Sequence, residues 1–178
     1  MKNIEKMLRL TEAEMLELWK LKLKLYPVRK DCIIERNDGI DIGEYLLLQI
    51  REWYSKLLSD APSQWLPCVD IATKLVITNE NNGMKSVALP IDCVRPVEWK
   101  MSAWKRSVTE FISPSSPTAI LQSNEYSRSR DENPIAILNG NEILLWASAG
   151  STLTKAICVM RPNNEYYEFA EIALSTIL

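Results

Sequence analysis

The chain has 178 residues, 47% of them hydrophobic and 25% charged, a balance that builds an ordinary globular core and excludes disordered and collagen-like classes. Its formal net charge of −2 supplies no global positive field for nucleic acid or an anionic membrane. It contains no histidine, which removes the usual neutral-pH base and with it most Ser-His and Cys-His mechanisms.

At the N-terminus, MKNIEKMLRL alternates charge with apolar residues and does not form a signal-peptide core. No apolar run reaches the roughly 20 residues of a spanning helix, so the sequence reads as cytoplasmic and without a membrane partner. A short helix is predicted from Lys2 to Arg9. Thr11 and Glu14 have capping-box spacing, and a helix should follow from about Glu12 to Leu25, with Met15, Leu18, Trp19 and Leu25 inward and Pro27 as its stop, although the Lys20, Lys22, Lys24 alternation also fits a strand over LKLKLY. Met1–Lys30 holds eight basic against four acidic residues and Asp31–Asp60 three against seven, which places a charge boundary near Asp31. Such blocks suit a solvated helix face or a matched contact between neighbouring subunits.

The clearest helix is DIGEYLLLQIREWYSKLLSD. Asp41 is its N-cap, and Ile42, Tyr45, Leu46, Ile50, Trp53, Leu57 and Leu58 form a face wide enough to pack on two sides. Pro62 and Pro67 then impose an extended loop in which Trp65 plugs the core. Leu75 and Ile77, with Val87 and Leu89 on the return, predict a β-hairpin turning at Asn82-Gly83. Further strands are expected at Val94–Met101 and at about Lys105 to Ile112. In the first of these, alternation turns Val97, Trp99 and Met101 inward and Glu98 and Lys100 outward. A short helix from about Pro117 to Gln122 and a mobile polar loop over EYSRSRDEN precede a second hairpin, PIAIL and EILLWA, turning at Asn139-Gly140. KAICVM, apolar on both faces, reads as a central strand. The chain should close in an amphipathic helix, with Glu165, Glu168 and Glu171 on one side and Tyr166, Phe169, Ala170, Ala173 and Leu174 on another.

The fold class is therefore α+β: N-terminal helices and a long core helix packed on an antiparallel β-sheet or β-sandwich, with a C-terminal amphipathic helix. Three segments are expected, 1–62 mainly helical, 63–162 β-rich and 163–178 helical, forming one compact domain with terminal extensions.

Catalytic chemistry has little to stand on. GxxxxGK[ST], GxGxxG and GxSxG are all absent. Cys32, Cys68, Cys93 and Cys158 are scattered without metal-ligand spacing and read as buried structural thiols. Asp41 with Glu44, and Asp131 with Glu132, could hold a hard metal or act as acid and base, but capping and loop solvation account for them more simply. No catalytic, cofactor-binding or metal-binding residue is assigned.

Two stretches carry a resemblance. In CVRPVEWKMSAWKRSVTEFISPSSPTAILQSNEYSRSRDENPIAIL, the strand start Arg95-Pro96, the step Trp104-Lys105-Arg106, the Ser-Pro turn, Gln122 with Asn124, and Asn133-Pro134 resemble head-to-tail connector proteins of tailed bacteriophages. Upstream, EYLLLQIREWYSKLLSDAPSQWLP is similar to the long helix and Trp-Leu-Pro loop of ring proteins in crAss-like short-tailed phages. The resemblance implies a non-enzymatic structural ring subunit of the virion, made in the host cytoplasm and assembled as a dodecamer. Its partners would be itself, the portal and other connector or tail proteins, with genomic DNA passing through the lumen without sequence-specific binding. The candidate subunit-contact residues are Trp104, Lys105, Arg106, Arg128 and Arg130. The alternative from the residues is a small nucleic-acid-binding protein presenting a Trp/Lys/Arg surface.

Overall fold

The computed structural model describes residues 6–25, 41–79, 83–162 and 166–177. The predictions that rest on Lys2–Glu5, Pro27, Asp31, Cys32 and Asn82 lie outside these residues. In chain order the elements are β1 (Met7–Thr11), α1 (Glu12–Lys22), α2 (Ile42–Asp60), a 3-10 turn (Ser63–Trp65), β2 (Cys68–Asp70), a second 3-10 turn (Ala72–Lys74), β3 (Ile77–Asn79) and β4 (Met84–Ala88). They continue with β5 (Cys93–Met101), β6 (Phe111–Ile112), α3 (Pro117–Leu121), β7 (Ala136–Asn139), β8 (Glu142–Trp146), β9 (Leu153–Met160), β10 (Tyr166–Ala170) and a last 3-10 turn (Glu171–Thr176). The class is mixed α+β. The chain divides into two units, Met1–Pro67 with Arg161–Leu178, and Cys68–Met160.

In the first unit, Thr11 closes a capping box. Its hydroxyl accepts from the Glu14 N–H at 3.3 Å, while the Thr11 N–H and hydroxyl donate to the Glu14 carboxylate at 2.8 and 2.9 Å. Those bonds hold the Glu14 carboxyl below its usual range. The helix stops at Lys22, earlier than expected, because Lys24 turns left-handed at φ 54°; Leu25 is consequently exposed and only Met15 and Trp19 of α1 are buried. Asp41 caps α2 by accepting from Gly43 N at 2.7 Å. This helix buries Leu46, Ile50, Tyr54, Leu57 and Leu58, a single stripe. Tyr45 and Leu48 face solvent, so the expected two-sided burial narrows to one face.

Both chain ends differ from the helices predicted for them. Residues 7–11 and 166–170 are strands that pair antiparallel, Met7 opposite Ala170 and Thr11 opposite Tyr166. Tyr167 and Phe169 alternate inward with period two, while Glu168 lies on the strand and Glu171 opens the following 3-10 turn; Glu165 lies outside the described residues. The inward rings meet α2: Tyr54 lies edge-on to Tyr167 at 5.0 Å between centroids, and Trp53 edge-on to Phe169 at 5.3 Å. The Tyr54 hydroxyl donates to the Glu168 carbonyl at 3.1 Å and accepts from its N–H at 3.2 Å. Burial pushes that hydroxyl up to about 12.

The second unit sets two sheets around one core. The order β2-β9-β5 is antiparallel, and the order β3-β4-β8-β7-β6 is antiparallel except for the parallel β6–β7 pair. Trp99, Met101, Ala156 and Cys158 from the first sheet pack with Val87, Ala136, Ile143 and Leu145 from the second. As expected, β3 pairs with β4 and β7 with β8, and β9 is the central strand of its sheet. The strand predicted over 105–112 shrinks to Phe111–Ile112 and an isolated bridge in which Trp99 and Val108 exchange backbone bonds of 2.8 Å. Register shifts on either side of Pro96 replace strict alternation, so Pro96, Trp99 and Met101 are the buried set and Val97 is only half-buried. Pro96 has no N–H for a ladder, which an edge strand tolerates. On the outer face of the second sheet, α3 lays Ala119 against Ile137 and Trp146.

Candidate subunit-contact site

All five candidate residues belong to the second unit, in the turn after β5 and the segment between α3 and β7. Trp104 is not on the surface: it is 2% exposed, and its indole N–H donates to the Trp146 carbonyl at 2.9 Å. A turn bond from Trp104 N to Met101 O, 3.1 Å, holds the chain so that the next residues swing outward. Lys105 and Arg106 are exposed, and the Lys105 N–H donates to the Asp131 carbonyl at 2.9 Å. That bond joins the two segments. The Lys105 ammonium also pairs with Glu132 at 2.5 Å.

Lys105, Arg128 and Arg130 line one cleft of about 990 Å³, together with Leu121, Gln122, Asp131 and Glu132. Arg106 is not among them; it lines a separate recess of about 380 Å³ with Glu110, Thr118 and Pro134. Three cations and two carboxylates share the larger cleft.

The segment expected to be a mobile loop is tied at several points. Buried Gln122 donates to the Thr118 carbonyl at 3.0 Å and accepts from Ser129 N at 2.6 Å. Asn124 accepts from Tyr126 N at 2.9 Å, and Ser127 donates to the Leu121 carbonyl at 2.7 Å. Asp131 accepts from the backbone N–H of Ser148 at 3.2 Å and from its hydroxyl. These ties present three apolar side chains to solvent: Ile120 at 63%, Leu121 at 54% and Tyr126 at 93% exposure. Sequence reasoning missed them, although apolar residues inside a polar stretch are the signal that could have found them.

Asp131 and Glu132 are engaged as above, and Asp41 caps α2. Glu98, on the wet side of β5, is held below its usual range first by Lys155, whose ammonium lies 2.6 Å away, and then by Ser107. Among the described residues, no group of three or more Cys, Asp or Glu side chains is arranged to hold a metal ion. No described helix is long and apolar enough to cross a membrane. Cys158 is buried and Cys93 half-buried, in keeping with structural thiols, whereas Cys68 is exposed because it lies on the short β2. Comparison with protein-family models gives no match, and neither does comparison with curated proteins.

Proposed function

We propose that this chain is a structural ring subunit of a phage head-to-tail connector, a homo-oligomer that joins portal to tail and lets DNA pass through its lumen. The observation that carries the reading is the group Ile120, Leu121 and Tyr126, exposed beside a cleft of mixed charge and anchored by buried Gln122. An apolar ridge rimmed by charges of both signs is how a subunit contact is built: the ridge supplies burial, and the charges set register and reject wrong partners. The resemblance in the stretch 93–138 selects a connector among such assemblies and implies a dodecamer. A net negative charge on each copy disfavours adhesion of DNA to the bore.

The nucleic-acid reading loses its stacking platform, since Trp99 is 0% and Trp104 2% exposed. Native mass spectrometry across salt and protein concentration tests the ring. A closed oligomer is expected, and Tyr126→Asp with Leu121→Asp should release monomer. Monomer alone at every salt and concentration, with or without portal protein, would sink the proposal. So would salt-sensitive DNA retention on filters that Lys105→Glu with Arg106→Glu abolishes, because that pattern belongs to the alternative.

A further inference from the structure

Three of the four cysteines lie on the three-stranded sheet of the second unit: Cys68 on β2, Cys93 at the start of β5 and Cys158 within β9. The register decides which thiols can meet. Cys158 opposes Val69 on one side and Pro96 on the other, while Cys68 opposes Val159, one residue along. Successive side chains point to opposite faces of a strand, so Cys68 projects away from Cys158. Cys93 opposes Met160, two residues from Cys158, and therefore shares its face. Both sulfurs enter the same core, Cys158 inside it and Cys93 at its edge. They are diagonal neighbours across β5–β9, with a register shift immediately after Cys93.

We infer that Cys93 and Cys158 form a reversible cross-strand disulfide when the protein meets a peroxide. Each thiol perturbs the other, which raises Cys93 and lowers Cys158. Cys93 is the sulfur a small oxidant reaches, being half-buried where Cys158 is fully buried. Its thiol gives up its proton and the sulfur attacks one oxygen of hydrogen peroxide. The O–O bond breaks, and the leaving hydroxide takes that proton as water, which leaves a sulfenic acid on Cys93. Cys158 then attacks the Cys93 sulfur, the S–O bond breaks, and the departing hydroxide takes the Cys158 proton as a second water. Two thiols and one peroxide become one disulfide and two waters. Because Cys93 is raised, the first step is slow, and the pair answers to sustained oxidation.

The bridge would close the chain between residues 93 and 158, a constraint that falls mainly on the unfolded state. Cys68, on the opposite face of the sheet by register, serves as a control. The test uses Cys32→Ser with Cys68→Ser, so that only Cys93 and Cys158 remain. After peroxide treatment, intact mass should fall by two hydrogens, peptide mapping without reductant should join the Cys93 and Cys158 peptides, and the urea midpoint should rise. A thiol reductant should reverse all three. Over-oxidation of Cys93 with Cys158 still a free thiol would overturn the inference. So would two unreacted thiols under conditions that fully oxidise Cys68 in the native chain.

Discussion

The two buried tryptophans beside β5 make an internal control for one hydrogen bond. Trp104 and Trp99 are both sealed in the second unit, but Trp104 Nε1 donates to the Trp146 carbonyl at 2.9 Å. Trp99 Nε1 is buried without a hydrogen-bond partner. Replacing either by Phe removes the same atoms and leaves a comparable void, so the cavity cost is shared. Trp104→Phe additionally takes a donor from a buried carbonyl, at about 1–2 kcal/mol. With a urea dependence of about 2 kcal/mol per molar, its midpoint should lie about 0.5–1 M below that of Trp99→Phe. Urea unfolding followed by far-UV circular dichroism reads this without depending on indole fluorescence. Coincident midpoints, or a lower one for Trp99→Phe, would refute the assignment of the Trp104 bond as the stabilising difference.

Two smaller perturbations follow from the backbone and the first cap. Gly140 turns the β7–β8 hairpin at φ +60° with nothing within 4 Å of an added Cβ, so Gly140→Ala should cost about 1 kcal/mol of pure backbone strain, and Gly140→Asn less. Thermal unfolding of the two variants gives the comparison, and equal losses would show a side-chain cause instead. The Glu14 carboxyl is lowered by the Thr11 backbone N–H and then by its hydroxyl, so its contribution to stability is complete above the ordinary value of 4.5 and is lost as pH falls through the lower folded value. Glu14→Gln should therefore be less stable than wild type at neutral pH and converge with it in acid; a constant gap at all pH values would contradict this.

Local chemistry made much of this fold legible. Thr11 with Glu14, Asp41, Ser116 with Pro117, and the Asn139-Gly140 turn each bring their own hydrogen-bonding or dihedral logic, and the elements they begin or join formed where that logic put them. The α+β class followed from apolar periodicity, and the central position of β9 from a run apolar on both faces. The chain ends were misread because MLRLT and YYEFA are too short to separate period two from period 3.6; their pairing partner is more than 150 residues away. The candidate site was half legible. Charge placed Lys105, Arg106 and Arg130 at the surface, but Arg128 is half-buried and Trp104 went inward, where its indole N–H meets a carbonyl on β8. That Lys105 and Arg130 share a cleft while Arg106 lines another depends on the bond from Lys105 N to Asp131 O.

The sequence by itself determined what each segment could become: where helices start, which turns accept a positive φ, and that no histidine-based chemistry is available. Only the tertiary structure decided which segments meet. Strand pairing across long stretches of chain and the register that puts Cys93 beside Cys158, but not Cys68, are set by the mutual burial of side chains from distant elements. No local window contains that information.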